Sequence, residues 1–238
     1  MVNVDIVIPV LNEQEALPVC IARLQNYISE NIDQKCNIII ADNGSNDDTP
    51  KVSKHLVSEY ENIKYIRIPE RGRGLALKTV WSKSESDIVC YMDVDLSTDL
   101  KALPILVDRL ESNYDIAIGS RLSKTSKVSN RSFQRELTSR GYNFLLKIFF
   151  FNKFHDAQCG FKGLRTSTAK KILPLIKDNK WFFDTELLLI AEKSGFEIAN
   201  IPVQWTDDKD SRVNVVKTII EDLKGIFRLR FLGIPKAK

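Results

Sequence analysis

Asp87-Ile-Val-Cys-Tyr-Met-Asp93-Val-Asp95 is an apolar run of strand length that closes on two carboxylates one residue apart. A strand delivers its last side chains to the sheet edge, and in open α/β sheets ligands sit beyond the carboxyl ends of the strands. Two hard oxygen donors at such an edge suit Mg²⁺ or Mn²⁺ carrying a substrate diphosphate.

Working outward, the first half alternates short β-rich runs with helical stretches. Val4–Val10, Asn37–Ala41, Ile63–Ile68, Ile88–Met92 and Asp115–Gly119 read as strands, and Glu13–Glu30, Thr49–Tyr60, Leu75–Lys83 and Leu100–Leu110 as helices. That alternation implies parallel strands joined by crossovers, hence a doubly wound, mostly parallel α/β sheet. Past Arg121 the pattern loosens. Thr125–Asn130 reads as a polar linker, Ser132–Phe154 as a long helix and Gly160–Leu164 as a short strand. Thr166–Ile176 and Phe183–Lys193 read as helices, Glu197–Trp205 as one alternating strand, and Val213–Leu232 as a final amphipathic helix. No Pro/Gly-rich linker separates two cores, so residues 1–238 are expected to form one domain with a functional boundary near 121.

The apolar and charged fractions, 43% and 28%, are globular values for a chain of 238 residues. Four cysteines without a CxxC pair imply reduced packing residues and a reducing compartment. The N-terminus lacks the basic start and unbroken apolar stretch of a signal peptide. No window reaches the ~18 apolar residues of a membrane span, so a soluble or peripheral protein is expected. The net charge of +4 is unevenly distributed: Arg121–Arg140 holds six basic residues against Glu136 alone, which points to a localised anionic partner.

Each polar cluster at a strand end has two readings. Asn12 and Glu13, after Pro9, could meet a base or ribose, or cap the first helix. Asn43 to Thr49 is turn and cap chemistry, whereas Asp42, directly after an apolar strand, is placed to accept a hydrogen bond from a base or ribose. In Arg71-Gly-Arg-Gly-Leu-Ala-Leu-Lys78 the glycines permit close backbone approach and the cations suit a diphosphate. This run fails as a dinucleotide fingerprint, because Leu77 stands where the third glycine or alanine belongs. Asp93 and Asp95 suit a metal–diphosphate clamp, or the nucleophile and acid of a haloacid-dehalogenase-type phosphohydrolase. The latter normally follows the first strand, and here three strands precede it.

In this order, Pro9-Val-Leu-Asn-Glu13, Asp42-Asn-Gly-Ser-Asn-Asp-Asp-Thr49, Arg71-Gly-Arg-Gly74 and Asp93-Val-Asp95 resemble glycosyltransferase family 2, with its GT-A fold. Gly119-Ser-Arg121, Asp156-Ala-Gln-Cys-Gly-Phe-Lys162, Trp181-Phe-Phe-Asp-Thr-Glu-Leu187 and Ile201-Pro-Val-Gln-Trp-Thr206 are similar to its polyprenyl-phosphate (dolichyl-phosphate) branch, especially the dolichyl-phosphate β-glucosyltransferases. The resemblance implies a nucleotide-sugar-binding half over 1–120 and an acceptor-binding half over 121–238. Pro9, Asn12, Glu13 and Asp42 would hold base and ribose, and Arg71 and Lys78 would lie near the donor. Asp93 would touch ribose or metal, Asp95 would bind Mg²⁺ or Mn²⁺, and Ser97 is a further candidate ligand. Arg121, Arg131 and Arg135 would gather the acceptor phosphate, with Asp95, Arg121 and Arg131 as the catalytic set. Arg212 stands where the family often shows lysine. Gln158 and Lys162 are candidates for donor or acceptor contact, and Glu186 for anchoring a sugar hydroxyl or an arginine.

The implied reaction is an inverting, metal-dependent transfer of a hexose, with UDP-glucose favoured, onto polyprenyl or dolichyl phosphate. GDP-mannose as donor and a soluble hydroxyl acceptor are the near alternatives. Phe144–Phe154, with five phenylalanines, and the final helix combine apolar faces with Lys and Arg, as interfacial helices on anionic lipid do; core packing or a dimer face would explain them too. A peripheral place on the cytoplasmic face of a membrane is therefore expected. Nucleic acid is not, since Phe133 is the sole aromatic residue in the basic segment.

Overall fold

The computed structural model describes residues 2–207 and 215–237. Its strands are β1 (Asn3–Val10), β2 (Lys35–Asp42), β3 (Ile63–Arg67), β4 (Ile88–Met92), β5 (Ile116–Ser120), β6 (Lys127–Ser129), β7 (Phe161–Arg165), β8 (Ile198–Pro202) and β9 (Gln204–Thr206). The helices are α1 (Ala16–Asn31), α2 (Thr49–Glu59), α3 (Arg73–Trp81), α4 (Ala102–Glu111), α5 (Phe133–Phe150), α6 (Thr166–Ile172), α7 (Phe183–Ser194) and α8 (Val215–Leu232). Seven strands form one sheet in the order β3-β2-β1-β4-β7-β5-β8, and β6 pairs with β9 in a small second sheet. Only β7 runs antiparallel to its neighbours in the large sheet. The expected mostly parallel, doubly wound sheet is thus present.

Strand alternation sorts side chains to two cores. On one face Val4, Ile6 and Ile8 of β1 and Cys90 of β4 meet Leu17, Leu24 and Leu103 of α1 and α4. On the other, Val7 and Tyr91 meet Leu77 and Trp81 of α3 and Leu187 of α7. Asp5, the polar break in the first strand, is buried and receives the hydroxyls of Ser84 and Ser86 (both 2.7 Å) and the Asn37 amide. All four cysteines are free and buried, as expected of packing residues.

Several boundaries differ from the sequence reading. The expected linker contains β6, because its backbone finds a partner in β9. The run expected as one strand over Glu197–Trp205 divides at Val203, sending β8 to the large sheet and β9 to the small one. The long helix stops at Phe150, where Phe151 turns left-handed at φ 54°, so that Phe154 tucks into the core.

The strand order changes direction between β1 and β4, the topological switch point of the sheet. The loops after β1, β2, β4 and β5 leave from one edge. Because β7 is antiparallel, the segment entering it, Asp156–Gly160, arrives at that same edge. The fold thereby gathers five loops of unlike chemistry.

The glycines of the Arg71–Gly74 run serve a different purpose from the expected one. A side-chain carbon at Gly72 would lie 2.3 Å from the Asn179 carbonyl, and one at Gly74 would lie 2.5 Å from Cβ of Phe183. The amides of Gly74 and Leu75 donate to the carbonyls of Lys180 and Asn179, and that of Gly72 to Asn43 Oδ1. The start of α3 is therefore closed by this chain's own loop, so its amides do not form a diphosphate cradle. Gly74→Ala is expected to lower stability by about 1–3 kcal/mol through overpacking. Gly141→Ala, mid-helix with nothing within 4 Å, is expected to raise it by about 0.5–1 kcal/mol. Denaturant unfolding of both variants checks the contrast.

Candidate active site

Asp93 and Asp95 leave β4 at the switch-point edge. Asp95 is exposed, and the Ser97 amide and hydroxyl donate to its two oxygens at 2.9 and 2.7 Å. Ser97 thus orients Asp95. Asp93 is held from beneath by Arg73, whose Nη2 lies 2.5 Å from Asp93 Oδ1 while Nη1 lies 3.0 Å from Asp184 Oδ2. The guanidinium also lies 4.8 Å over the Tyr91 ring and 5.1 Å over that of Trp181. Burial disfavours this cation, but Asp93, Tyr91 and Asp184 together more than offset it and raise its pKa above the ordinary arginine value. Asp184 Oδ1 receives the Tyr91 hydroxyl at 2.5 Å and lies 2.9 Å from Lys162 Nζ. Two carboxylates and two cations are thereby interlocked at the end of β4.

Behind Asp93 the backbone of Gly160 comes so near that a side-chain carbon there would lie 1.6 Å from Asp93 Oδ2. Among the described residues no group of three or more His, Cys, Asp or Glu could cage a metal. Asp95, with Asp93 beside it and Ser97 below, fits instead an ion held by one or two carboxylates that takes its remaining ligands from phosphate and water.

On the β1–β2 side, Asn12 stands at φ 58°; its amide donates to Ser45 Oγ and its Oδ1 accepts from the Asn46 amide. The Glu13 amide donates to Thr49 Oγ1. These bonds lock the two loops together and leave Pro9, Asn12 and Glu13 half-buried at the edge. Asp42 departs from its expected role. It is fully buried, and its oxygens accept from the Ser45 amide (2.8 Å) and the Tyr65 hydroxyl (2.7 Å). It shapes the turn rather than facing a nucleoside.

A basic cleft of about 600 Å³ is lined by Arg121, Lys124, Arg131, Phe133, Glu136 and Arg140. Arg121 is clamped by Asp156, which takes its Nε (2.8 Å), Nη2 (2.9 Å) and backbone amide (3.0 Å), and it lies 4.9 Å over the Trp205 ring. Asp156 is fully buried, and although burial opposes its charge, Arg121 holds its carboxyl below the usual range. Arg131 is nearly buried and its pKa is lowered, first by burial and then by the neighbouring Arg121. Its Nη1 lies 3.1 Å from Glu136 and its Nε 3.9 Å from Asp207, yet neither nitrogen makes a hydrogen bond. The two carboxylates supply the charge that compensates the buried guanidinium. Arg135 lies 3.8 Å from Asp207.

Other expected contacts are directed into the protein. Lys162 is fully buried, its ammonium donating to the Cys159 carbonyl and Tyr91 hydroxyl, so it supports the site without reaching a ligand. Glu186, also buried, takes the arginine option: it receives Arg228 through two bonds of 2.8 and 2.9 Å, and the Asp178 amide. Lys78 donates to the Ile176 carbonyl and to Asn179, tying down the loop over α3, and burial lowers its pKa. Arg71 is exposed at the turn before α3. Gln158 donates to Asp222 of α8 at 2.7 Å. Arg212 lies outside the described residues. Arg73, read with Arg71 as a cation suited to a diphosphate, instead pairs with Asp93 and Asp184, and sequence reasoning missed Tyr91, Asp156 and Asp184 as site-building residues. Arg73 carried a signal, since it stands between the two glycines that seat it.

Gly160→Ala is expected to push Asp93 aside. Calorimetric binding of a nucleoside diphosphate with Mn²⁺ should weaken about tenfold or more, as when a ligand's supporting partner is lost. Wild-type affinity in that variant would remove Asp93 from the site.

Comparison with known proteins bears on the family and the fold. The glycosyltransferase AglD of Haloferax volcanii is 33% identical over 225 residues, 92% of this chain, which spans 35% of AglD's length. The dolichyl-phosphate beta-glucosyltransferase of Dictyostelium discoideum is 30% identical over 253 residues, covering 100% of this chain and 77% of that protein. That of Saccharomyces cerevisiae is 27% identical, covering 97% and 75%. Among solved structures, glucosyl-3-phosphoglycerate synthase from Mycobacterium tuberculosis, in complex with Mn²⁺, UDP-glucose and phosphoglyceric acid, shares the fold at a TM-score of 0.70 and 17% identity, covering 96% of this chain and 79% of that one. The profile of glycosyl transferase family 2 matches residues 5–173, and with the GT-A architecture around the Asp93–Asp95 edge this places the chain in that family.

Proposed function

We propose that this chain is an inverting transferase that moves glucose from UDP-glucose to the phosphate of a polyprenol such as dolichol. The observation that carries the reading is a cleft lined by Arg121, Lys124, Arg131 and Arg140 and tied to the carboxylate edge by one five-residue loop. Asp156 at the start of that loop holds Arg121, and Gly160 at its end abuts Asp93. A nucleotide-binding edge and an anion-binding cleft therefore sit on one rigid support. The names of the relatives from Dictyostelium and yeast agree with a dolichyl-phosphate acceptor.

Asp95, oriented by Ser97, would hold Mg²⁺ or Mn²⁺ with Asp93 beside it, and the ion would offset charge growing on the diphosphate leaving group. Pro9, Asn12 and Glu13 would border the nucleoside, with Arg71 at the rim. Arg121, Arg131 and Arg135 would bind the acceptor phosphate and align one of its oxygens with the anomeric carbon. An acceptor already anionic needs no strong base. That suits a site where the buried Asp184 already has both oxygens engaged by Tyr91, Lys162 and Arg73. Alignment and fixed charge would supply the rate.

No helix among the described residues is long and apolar enough to cross a membrane. The lipid would instead be met from the side. Phe133 lines the basic cleft and opens α5, along which Leu137, Phe144, Ile148 and Phe151 are exposed. On α8, Phe227 packs edge-on against Phe149 and stacks on Phe231, and Phe227, Phe231 and Leu232 are exposed too. An apolar strip that begins at the phosphate cleft, with Lys147, Lys224 and Arg230 on the same helices, is the form an interfacial surface takes. It supports a peripheral location on a membrane surface.

The test offers UDP-glucose, GDP-mannose and other nucleotide sugars with a polyprenyl phosphate or a soluble hydroxyl acceptor, with and without Mn²⁺. Metal-dependent, lipid-linked glucose is expected. Asp95→Ala should remove turnover and metal-dependent donor binding while the unfolding midpoint is unchanged. Transfer to the soluble acceptor alone, or near-normal turnover of that variant, would overturn the assignment.

A further inference from the structure

Asp222 is a buried carboxyl that the proposed chemistry does not use. It sits on the inner side of α8, 3% exposed, and its Oδ2 accepts the Gln158 side-chain amide at 2.7 Å. Its Oδ1 is buried with no hydrogen-bond partner. Gln158 stands midway between Asp156, which clamps Arg121 of the basic cleft, and Gly160, which abuts Asp93. It therefore lies between the two places where donor and acceptor are proposed to bind. The helix carrying Asp222 is fixed close by: Gly225 faces the Phe182 ring, where a side-chain carbon would come within 2.4 Å, and Arg228 grips Glu186. Asp222 has little freedom to move.

We propose that Asp222 is a positioning residue for sugar transfer: by holding the Gln158 amide it turns the Gln158 carbonyl oxygen towards a hydroxyl of the bound sugar. The inference rests on the transferase reading given above. A carboxamide has one donor end and one acceptor end, so the partner of one end decides what the other presents. With Asp222 ionised, the amide is held and the carbonyl is free to accept. With Asp222 protonated, its hydroxyl can donate to the carbonyl instead, and the amide turns outward. The surroundings place this change in a useful range. Burial, offset in part by the Gln158 bond, raises the Asp222 pKa to about 7, with Asp178, Asp184 and Glu221 pushing the same way. The groups around it are Tyr142 of α5, Asp178 of the loop before α7, Asp184 of α7 and Glu221 of its own helix; the nearby cations are paired elsewhere, Lys180 with Glu221 and Arg73 with Asp184.

A carboxyl whose folded pKa is raised binds more protons in the folded than in the unfolded state. Its ionisation therefore lowers stability as pH rises from about 4 to about 7, with no further change above. Removing the charge should stabilise the protein at pH 8 while harming the transfer, a pairing that a merely structural residue would not give. Wild type, Asp222→Asn and Asp222→Leu are compared. The Gln158 side-chain NH₂ signals, assigned by their loss in Gln158→Ala, are followed by NMR across pH 5–9, together with donor kinetics and unfolding midpoints. In wild type these signals should move with a midpoint near 7; in both variants they should stay flat. Asp222→Leu should melt no lower than wild type at pH 8, yet lose about three- to tenfold in kcat/KM for the donor, the value of one hydrogen bond. Static Gln158 signals in wild type, or unchanged donor kinetics in Asp222→Leu, would overturn the proposal. A wild type that titrates as expected but transfers no sugar would instead refute the transferase reading and leave the Asp222–Gln158 pair standing.

Discussion

The bridge that Arg73 makes between Asp93 and Asp184 is the contact on which the site depends. One planar guanidinium joins the end of β4 to the first turn of α7, and its own helix starts where the loop before α7 closes over Gly72 and Gly74. Lys162 from the antiparallel β7 and Tyr91 from β4 complete the set. Four elements thus share one network of balanced charge. Buried ions are tolerated only when paired and hydrogen-bonded, and removing one leaves another uncompensated. The position of Asp93 is for that reason a property of the whole second core. Arginine suits the role because its fork reaches two carboxylates at once while its face lies on Tyr91 and Trp181.

The Asp156–Gly160 segment extends this order to the basic cleft. Asp156, fully buried, fixes Arg121 in a bidentate pair, and Trp205 supports the other face of the guanidinium. At the far end Gly160 meets Asp93 with no room for a side chain. Two anions that repel each other must approach in the proposed reaction. A site that fixes its charges before they arrive avoids reorganising them during the step.

Much of this was legible in the sequence. The alternation of apolar runs with amphipathic stretches gave the parallel sheet, because strand and helix periods differ in residues as plain as Ile38–Ala41 and Leu103–Leu110. The Asp93–Asp95 edge followed from a carboxylate pair directly after an apolar strand. The direction in which polar side chains point was not legible. Asp42, Lys162 and Glu186 are as polar as any ligand, yet each is turned inward by a partner distant in the chain: Tyr65, Asp184 and Arg228. Such pairs arise only when the elements assemble. The Arg71–Gly74 glycines were misread for the same reason. A close backbone approach was correctly foreseen, but the visitor is Asn179 of the chain itself.

The same saturation that hides Asp184 from a sequence reading bears on the chemistry. A general base must have a lone pair within reach of the proton that it removes. Asp184 is the buried carboxylate joined to Asp93 through Arg73; its oxygens already receive Tyr91, Lys162 and Arg73, and using it would break the network that holds Asp93. A hydroxyl acceptor would demand that sacrifice or a base from elsewhere. A phosphate acceptor demands neither; it asks for clustered cations, which the cleft of Arg121, Lys124, Arg131 and Arg140 supplies. The arrangement of charge thus favours a phosphate acceptor for the proposed reaction. The cations line one cleft, where an anion would be bound, and the buried carboxylate nearest Asp93 is already engaged in holding the site together.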